Sequence, residues 1–269
     1  MSASESHDHN ATQRYGTIIV VGGGCYGSYY VRQLRRAVRA RALEARRVVV
    51  VDRDANCAVA RDIVSSASDE LRVDVVTEDW SQFFAEYLAT AVDAPERHRG
   101  DAIVPSPLMP HLMGEWLVAR ARERFGERVV ADRPFEHIPD VPWSRAGEPG
   151  THYVSFATWT CPINCVEPRT CPHTRDTRTW SLPVRLGEFG REQDVTGRRI
   201  VVATLFCRHR SYGVGMFDTA EVIDAHDRIM SAGKRGPAEV VIGTVSHCHG
   251  ALSRLVIREA AGVADSPVP

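Results

Sequence analysis

Lysine is almost absent from the sequence. Of the 33 basic residues, only Lys234 is a lysine, and it does not lie in the GxxxxGK(S/T) pattern of a phosphate-binding loop, which excludes a P-loop ATPase. An enzyme that forms a Schiff base would have to use Lys234, and we do not expect one. The basic residues are balanced by 34 acidic residues, so the basic excess of nucleic-acid-binding proteins is also missing. We therefore expect no nucleic-acid partner.

A long hydrophobic run is also missing. No apolar stretch approaches the roughly 18 residues that a transmembrane helix needs, so we expect no membrane insertion. The polar N-terminus lacks the apolar core of a signal peptide. We therefore expect a cytoplasmic protein. In that reducing compartment, clustered cysteines indicate metal ligands or redox groups before they indicate disulfides.

Short apolar runs alternate with helical patterns along most of the chain. Residues 1–14 are too polar to offset the entropy of ordering, which predicts a disordered tail. Residues 15–132 alternate strand and helix, which predicts an α/β fold with a Rossmann-like, doubly wound parallel sheet. Residues 133–269 are expected to form a further α/β region that contains Cys and His. Within it, an irregular insertion spans 133–198, and further βα units end in a helix at about 250–261.

The first predicted strand runs into the stretch VVGGGCYGSYY. This stretch contains G-x-G-x-x-G as Gly22, Gly24 and Gly27. Because it lies between a buried strand and a helix, and the next strand ends in Asp52, it predicts a dinucleotide site. Gly22 permits the tight turn, Gly24 lets the backbone approach the pyrophosphate, and Gly27 permits close packing of the helix against the strand. Asp52 can accept hydrogen bonds from ribose hydroxyls, which favours NAD, while the adjacent Arg53 keeps NADP open.

Two stretches, IIVVGGGCYGSYYVRQL and VVVVDRDANCAVA, resemble the TrkA-N type of Rossmann domain. That type forms the N-terminal part of regulatory potassium-conductance domains and is related to many NAD-dependent dehydrogenases. The resemblance covers about residues 15–105. It implies that NAD(H) or a related adenine nucleotide binds at the three glycines and Asp52. It does not imply catalysis, because regulatory members only sense the nucleotide, and it does not extend to the cysteine-containing half of the chain.

Three cysteines and a histidine lie within CPINCVEPRTCPHT, residues 161–174, which we call the cysteine loop. Its spacing, C-x3-C-x5-C, matches neither the C-x2-C pair of most structural zinc sites nor an iron–sulfur pattern. Three thiolates on a short loop repel one another unless a cation neutralises them, so zinc or an iron–sulfur cluster is one interpretation. A redox dithiol pair and unrelated cysteines are the alternatives. The candidate metal ligands are Cys161, Cys165, Cys171, His173, Cys207 and Cys248.

Two later predicted strands, VVATLFCRH and VVIGTVSHCH, each end in Cys and His residues. In an open parallel sheet, functional groups gather beyond the carboxyl ends of the strands. We therefore expect both groups to lie on the sheet edge that carries the glycine turn, near the nicotinamide. His247 and His249 are the candidate general acid/base residues, because histidine titrates near neutral pH. In the alternative, Ser246 caps a following helix and the histidines satisfy polar groups of the loop.

Two classes of function fit these patterns. In the first, the chain is an NAD(P)-dependent oxidoreductase in which a Cys/His metal or iron–sulfur centre polarises a substrate or relays electrons. In the second, it is a non-catalytic nucleotide and redox sensor of the TrkA-N type. An enzyme needs His247 or His249 within hydrogen-bond reach of the nicotinamide, whereas a sensor does not. The expected partner is a small-molecule substrate or a redox partner, and the sequence is compatible with a homo-oligomer.

Overall fold

Two sheets, each within its own compact unit, organise the chain. The computed structural model describes residues 12–65, 70–131, 134–148, 150–161, 165–195 and 199–259. The first unit comprises residues 1–109, 162–168 and 207–220, and the second comprises residues 110–161, 169–206 and 221–269. Most of the tail predicted for residues 1–14 lies outside the described residues, but Gln13 and Arg14 already belong to the first strand.

The helices and strands are numbered in chain order. The strands are β1 (Gln13–Val21), β2 (Leu43–Asp52), β3 (Val73–Thr77), β4 (Ala102–Val104), β5 (Val129–Val130), β6 (Trp143–Ala146), β7 (Thr151–Ser155), β8 (Ile200–Phe206), β9 (Arg208–His209), β10 (Gly215–Asp218), β11 (Ala238–Val245) and β12 (His249–Ile257). The helices are α1 (Cys25–Arg39), α2 (Ala58–Ser65), α3 (Trp80–Asp93), α4 (Pro95–His98), α5 (Leu112–Phe125), α6 (Leu182–Val195) and α7 (Thr219–Arg235). Across the described ranges, none of the helices has the length and apolar character that crossing a membrane requires.

The first unit is built on a sheet with the strand order β3-β2-β1-β4-β10-β9. Strands β1 to β4 are parallel to their neighbours, whereas β10 runs antiparallel to β4. The apolar runs IIVV of β1 and VVVV of β2 are buried, as is typical of strands that are covered on both faces. Helix α1 packs Val31, Leu34 and Ala37 into the same core, and their spacing puts them on one face of the helix.

The second unit has a sheet with the order β6-β7-β12-β11-β8, and β5 pairs with β12. Strands β8 and β11 are parallel, and the other described pairs in this sheet are antiparallel. The chain is thus a mixed α/β protein whose parallel strands are divided between two sheets. Residues 133–198, which we expected to be irregular, contain β6, β7 and α6.

The helix expected at about residues 250–261 is wrong, because residues 249–257 form β12. The chain reverses at Ser246, whose backbone N–H donates to the carbonyl oxygen of His249 at 2.9 Å. This turn lays β12 antiparallel along the whole of β11. Pairing with a buried strand satisfies the backbone groups of the segment. Its apolar residues also fit a helical spacing, so the local pattern did not decide between the two structures.

A buried carboxylate, Asp101, holds the first unit together next to β4, and it is only 3% exposed. Its Oδ1 accepts a hydrogen bond from the backbone N–H of Thr17 at 2.6 Å, and its Oδ2 accepts one from the Tyr87 hydroxyl at 3.0 Å. His98 Nδ1 lies 2.9 Å from the same Oδ2. The Asp101 carbonyl accepts from the backbone N–H of Thr219 at 3.0 Å. Because a buried carboxylate needs such partners, Asp101 joins β1 to α3, α4 and the start of α7.

In the second unit, the corresponding buried charge is Arg254 on β12, which is 5% exposed. Its Nε donates to Glu239 Oε1 on β11 at 2.6 Å, and its Nη1 donates to the Pro134 carbonyl at 2.9 Å. Its Nη2 donates to Glu136 Oε1 at 3.3 Å. The guanidinium therefore ties the segment that follows β5 to two neighbouring strands.

We expect Asp101→Ala to lower the free energy of unfolding by about 3 kcal/mol, because the Thr17 N–H and the Tyr87 hydroxyl lose their buried acceptor. Tyr87→Phe removes a single donor and leaves the carboxylate its other partners, so it should cost about 1 kcal/mol. Urea denaturation followed by circular dichroism measures both values. Equal losses in the two variants would show that the carboxylate does not hold the unit together.

Candidate functional site

The glycine turn, residues 22–24, connects β1 to α1. Gly22 has φ +86°, a left-handed conformation that favours glycine. Its backbone N–H donates to the carbonyl oxygen of Val51 at 2.8 Å, which fixes the end of β1 to β2. Helix α1 then begins at Cys25. The turn therefore lies at the carboxyl ends of two parallel strands.

The other two glycines of the motif have different structural roles. A Cβ atom on Gly27 would lie 1.9 Å from the carbonyl oxygen of Gly22, so only glycine permits this approach of α1 to the turn. A Cβ atom on Gly24 would meet no heavy atom within 4 Å. Gly24 is exposed and is the N-cap of α1, and no side chain caps the helix there. Open space therefore lies beside a helix N-terminus, where backbone N–H groups and the helix dipole favour an anion.

Asp52 ends β2 beside the turn, and backbone hydrogen bonds fix its carboxylate. Its Oδ2 accepts from the N–H of Gly23 at 2.6 Å, and its Oδ1 accepts from the N–H of Asp54 at 2.9 Å. Each carboxylate oxygen keeps a further lone pair, so Asp52 can also accept hydrogen bonds from the hydroxyl groups of a ligand. The structure thus brings together the four residues that the motif predicts for nucleotide binding, which are Gly22, Gly24, Gly27 and Asp52.

One part of the cysteine loop belongs to the first unit. The backbone N–H of Glu167 donates to Cys165 Sγ at 3.4 Å, and the buried Glu167 Oε2 lies 3.9 Å from His209 Nδ1. A Cβ atom on Gly215 would lie 3.0 Å from Cys207 Sγ and 3.6 Å from His209 Nε2. We did not predict Glu167. The available signal was the matching spacing of C-x-E and C-x-H, although Glu167 has φ +49° and is therefore not part of an extended chain.

Another part of the loop, around Cys171, belongs to the second unit. The Cys171 sulfur accepts a backbone hydrogen bond from Thr174, which has the largest effect on its ionisation, and another from His173. These bonds outweigh the effect of burial and lower the pKa of the Cys171 thiol below its ordinary value. The ring of His173 stacks on Trp159 with centroids 4.7 Å apart. The surroundings of Cys171 therefore favour a thiolate, the form that binds metals and reacts with electrophiles.

The turn between β11 and β12 carries His247 and Cys248. Ser181 Oγ lies 2.9 Å from His247 Nδ1, and the ring of Phe206 meets the imidazole edge to face at 4.7 Å. Trp180 Nε1 donates to Cys248 Sγ at 3.3 Å. Sequence reasoning missed Ser181 and Trp180, because they lie more than sixty positions from their partners in the chain.

Only one of the two Cys/His groups belongs to the sheet that carries the glycine turn. Residues Arg208–His209 form β9 of the first sheet, whereas His247 and Cys248 follow β11 of the second sheet. Strands β8 and β11 are parallel neighbours in the second sheet, so their carboxyl ends lie at one edge of that sheet. The glycine turn follows β1, which belongs to the first sheet. The expectation that both groups lie on the edge that carries the glycine turn is therefore wrong for the His247–His249 group, because it assumed one continuous sheet. The two candidate acid/base residues also differ from each other, since His249 is exposed and His247 is partly buried.

The predicted metal ligands are divided between the units. Cys165 and Cys207 belong to the first, whereas the second contains Cys161, Cys171, His173 and Cys248. Within the ranges that the structure describes, which leave out residues 162–164, no three His, Cys, Asp or Glu side chains are grouped so that they could hold a metal ion. Within the described residues, the seven cysteines are not joined in disulfide bonds. The described residues therefore do not form a ready metal site.

The comparisons with known proteins concern the second half of the chain. The family model AF_1314_C, described as an uncharacterised protein's C-terminal domain, matches residues 113–258. No curated protein and no solved structure matches the chain. The matched stretch contains the cysteine loop and β5 to β12, and it begins after the glycine turn.

We expect Cys171 to be alkylated at a lower pH than an ordinary thiol of pKa about 8.5. Because its pKa is lowered, a larger fraction of Cys171 than of an ordinary cysteine is thiolate at neutral pH. This thiolate is protonated as the pH falls through the lowered pKa. Thr174→Val removes the hydroxyl hydrogen bond to the sulfur, so it should shift the pH midpoint of alkylation upward. Mass spectrometry of the Cys171 peptide after iodoacetamide pulses measures the rate, and Thr177→Val is the matched control. An unchanged midpoint in Thr174→Val would contradict the assignment.

Proposed function

This chain belongs to the AF_1314_C family, whose model covers more than half of it, and we propose, from the residues of its glycine turn, that it is an NAD-binding oxidoreductase. The glycine turn of the first unit is the proposed nucleotide site. NADP is the second nucleotide that this site could accept. The family description names no activity, so the proposal rests on the residues and geometry of the chain itself.

The observation that carries the proposal is the glycine turn with its acid. The turn joins a buried strand to a helix, Gly27 allows α1 to approach it, and Asp52 ends the neighbouring strand. The parallel order β3-β2-β1-β4 supports a Rossmann-like arrangement of the kind expected from the TrkA-N resemblance. This combination favours a dinucleotide over other anions, because it supplies both a pyrophosphate position and a ribose acceptor.

Each part of the turn has a proposed role in binding. The backbone N–H groups at the start of α1 would hold the pyrophosphate over Gly24, where no side chain obstructs it. Asp52 would accept hydrogen bonds from the adenosine ribose while its bonds to the backbone keep it oriented. The nicotinamide would supply hydride transfer, and the chain would bind and orient it.

His247 is the better candidate for the general acid/base, with His249 as the second. Ser181 holds His247 Nδ1 at 2.9 Å, which orients the ring and leaves proton exchange to Nε2. His249 is exposed, whereas His247 is partly buried. The alternative function is a non-catalytic sensor, which would use the same nucleotide site but would need no acid/base residue at the nicotinamide.

An iron–sulfur cluster or zinc at the cysteine loop remains part of the proposal. It is supported by the backbone N–H bonds to the Cys171 sulfur, because such bonds favour the thiolate form that metals require. A metal would need the ligands of one unit to move together, since no three of the described donors are grouped to hold one. Redox chemistry of the thiols without a metal is the competing interpretation.

The nucleotide site is tested by comparing two glycine variants. Gly24→Ala adds a methyl group that meets nothing in the protein but occupies the proposed pyrophosphate position. We expect it to weaken NADH binding at least about tenfold, roughly 1.4 kcal/mol, with little change in thermal stability. Gly27→Ala should instead destabilise the first unit, because its methyl group would collide with the turn. Fluorescence titration with NADH and thermal unfolding measure the two effects.

Two outcomes would overturn the nucleotide proposal. The first is that the wild-type chain binds neither NADH nor NADPH. The second is that Gly24→Ala binds NADH as tightly as wild type, which would move any nucleotide away from the turn.

The metal proposal has its own test. After anaerobic purification we expect either iron together with acid-labile sulfide, or zinc in stoichiometric amount. Cys171→Ser should lower that content, because it removes the ligand most disposed to be a thiolate, whereas Cys57→Ser should not. Metal analysis and the absorption spectrum report the result. Wild-type protein without metal would leave only the dithiol interpretation or unrelated cysteines.

A further inference from the structure

Arg53 follows Asp52 in the chain, and its guanidinium group already interacts with two side chains, Asp79 and Trp80. Its Nη2 lies 2.5 Å from Asp79 Oδ2. Its guanidinium carbon lies 5.3 Å from the centroid of the Trp80 ring, in a cation–π arrangement. Arg53 is thus held on one side by a carboxylate and on another by an aromatic face.

The residues that hold Arg53 are themselves fixed. Asp79 is the N-cap of α3, where its Oδ1 accepts from the backbone N–H of Ser81 at 2.8 Å and of Gln82 at 3.3 Å. Trp80 Nε1 donates to the carbonyl oxygen of Val51 at 2.9 Å. One carboxylate oxygen therefore caps the helix while the other pairs with the arginine, so the capping geometry directs Asp79 toward Arg53.

This arrangement adjoins the glycine turn. A Cβ atom on Gly22 would lie 3.8 Å from Trp80 Cζ2, and Val51 receives hydrogen bonds from both Gly22 and Trp80. Although desolvation acts in the opposite direction, the hydrogen bonds from Gln82 and Ser81 and the charge of Arg53 lower the pKa of Asp79 below its ordinary value. Asp79 is therefore ionised at neutral pH, and the ion pair is present where a nucleotide would bind.

The 2′-phosphate of NADP needs a cation at the ribose, and an arginine beside the acid is the usual source. Here Asp52 repels a phosphate, and Asp79 pairs with the neighbouring guanidinium of Arg53, which could offset this repulsion. We propose that Asp79 is a specificity-determining residue, which by holding Arg53 against Trp80 makes the site select a dinucleotide with a free 2′-hydroxyl. The inference rests on the proposed nucleotide site and specifies NAD over NADP.

The test is the ratio of NADPH to NADH dissociation constants in wild type and Asp79→Asn. Asparagine keeps an oxygen for the α3 cap but removes the charge that holds Arg53. We expect this ratio to fall by about three- to tenfold in the variant. This is the range expected when a partly exposed arginine loses its carboxylate partner and can pair with the 2′-phosphate instead. The measurement is made at low ionic strength, because salt screens such exposed charges.

Two controls separate release of Arg53 from a general change in charge. Glu78→Gln removes the neighbouring acid, whose backbone N–H pairs with the Asp52 carbonyl, and it should leave the ratio near the wild-type value. The double variant Arg53→Gln with Asp79→Asn should lose the gain in NADPH binding, because the released guanidinium is absent. Thermal unfolding confirms that α3 is still capped in each variant.

The outcomes are distinguishable from failure of the nucleotide site itself. If wild type binds neither nucleotide, the proposed function fails and this inference falls with it. If wild type binds NADH but Asp79→Asn leaves the ratio unchanged, or Glu78→Gln lowers it equally, the nucleotide site stands and the role of Asp79 is overturned. A gain that persists in the double variant would also overturn it, since Arg53 would not be the residue released.

Discussion

The close approach of Gly27 to the carbonyl oxygen of Gly22 is the constraint on which the proposed nucleotide site depends. A side chain at position 27 would collide with the turn, so glycine there sets how near α1 comes to the end of β1. That distance places the helix N-terminus beside open space, and it leaves the N–H of Gly23 free to donate to Asp52. The proposed anion position and the proposed ribose acceptor therefore both depend on this one backbone contact.

This part of the structure could be predicted from the sequence because its signals are local. The runs IIVV and VVVV have few alternatives to a buried strand, and the glycines lie at a fixed spacing between strand and helix. The segment at residues 249–257 shows the opposite case. Its apolar residues fit both a helix and a strand, and the choice was made by hydrogen bonds to β11. A pairing between two segments is not contained in the periodicity of either one.

The cysteine loop shows that residues close in sequence can belong to different compact units. Cys165 and Cys171 are six positions apart, yet they belong to different compact units. Other contacts are not revealed by the loop alone, since Trp180 donates to Cys248 and Glu167 lies beside His209. The spacing of the cysteines carried no information on these partners. Those partners come from strands and turns far along the chain.

The same limit applies to the choice of nucleotide. An acid followed by an arginine, as in Asp52 and Arg53, is compatible with both NAD and NADP, because the arginine can serve a 2′-phosphate. Whether the arginine does so depends on whether another acidic side chain already forms an ion pair with it. Here the N-cap of α3 supplies a second carboxylate whose orientation is set by its hydrogen bonds to the helix. The proposed selectivity thus depends on Asp79, the N-cap of α3, which lies twenty-six residues after Arg53 in the chain. A sequence motif that ends at Asp52 and Arg53 does not include this residue.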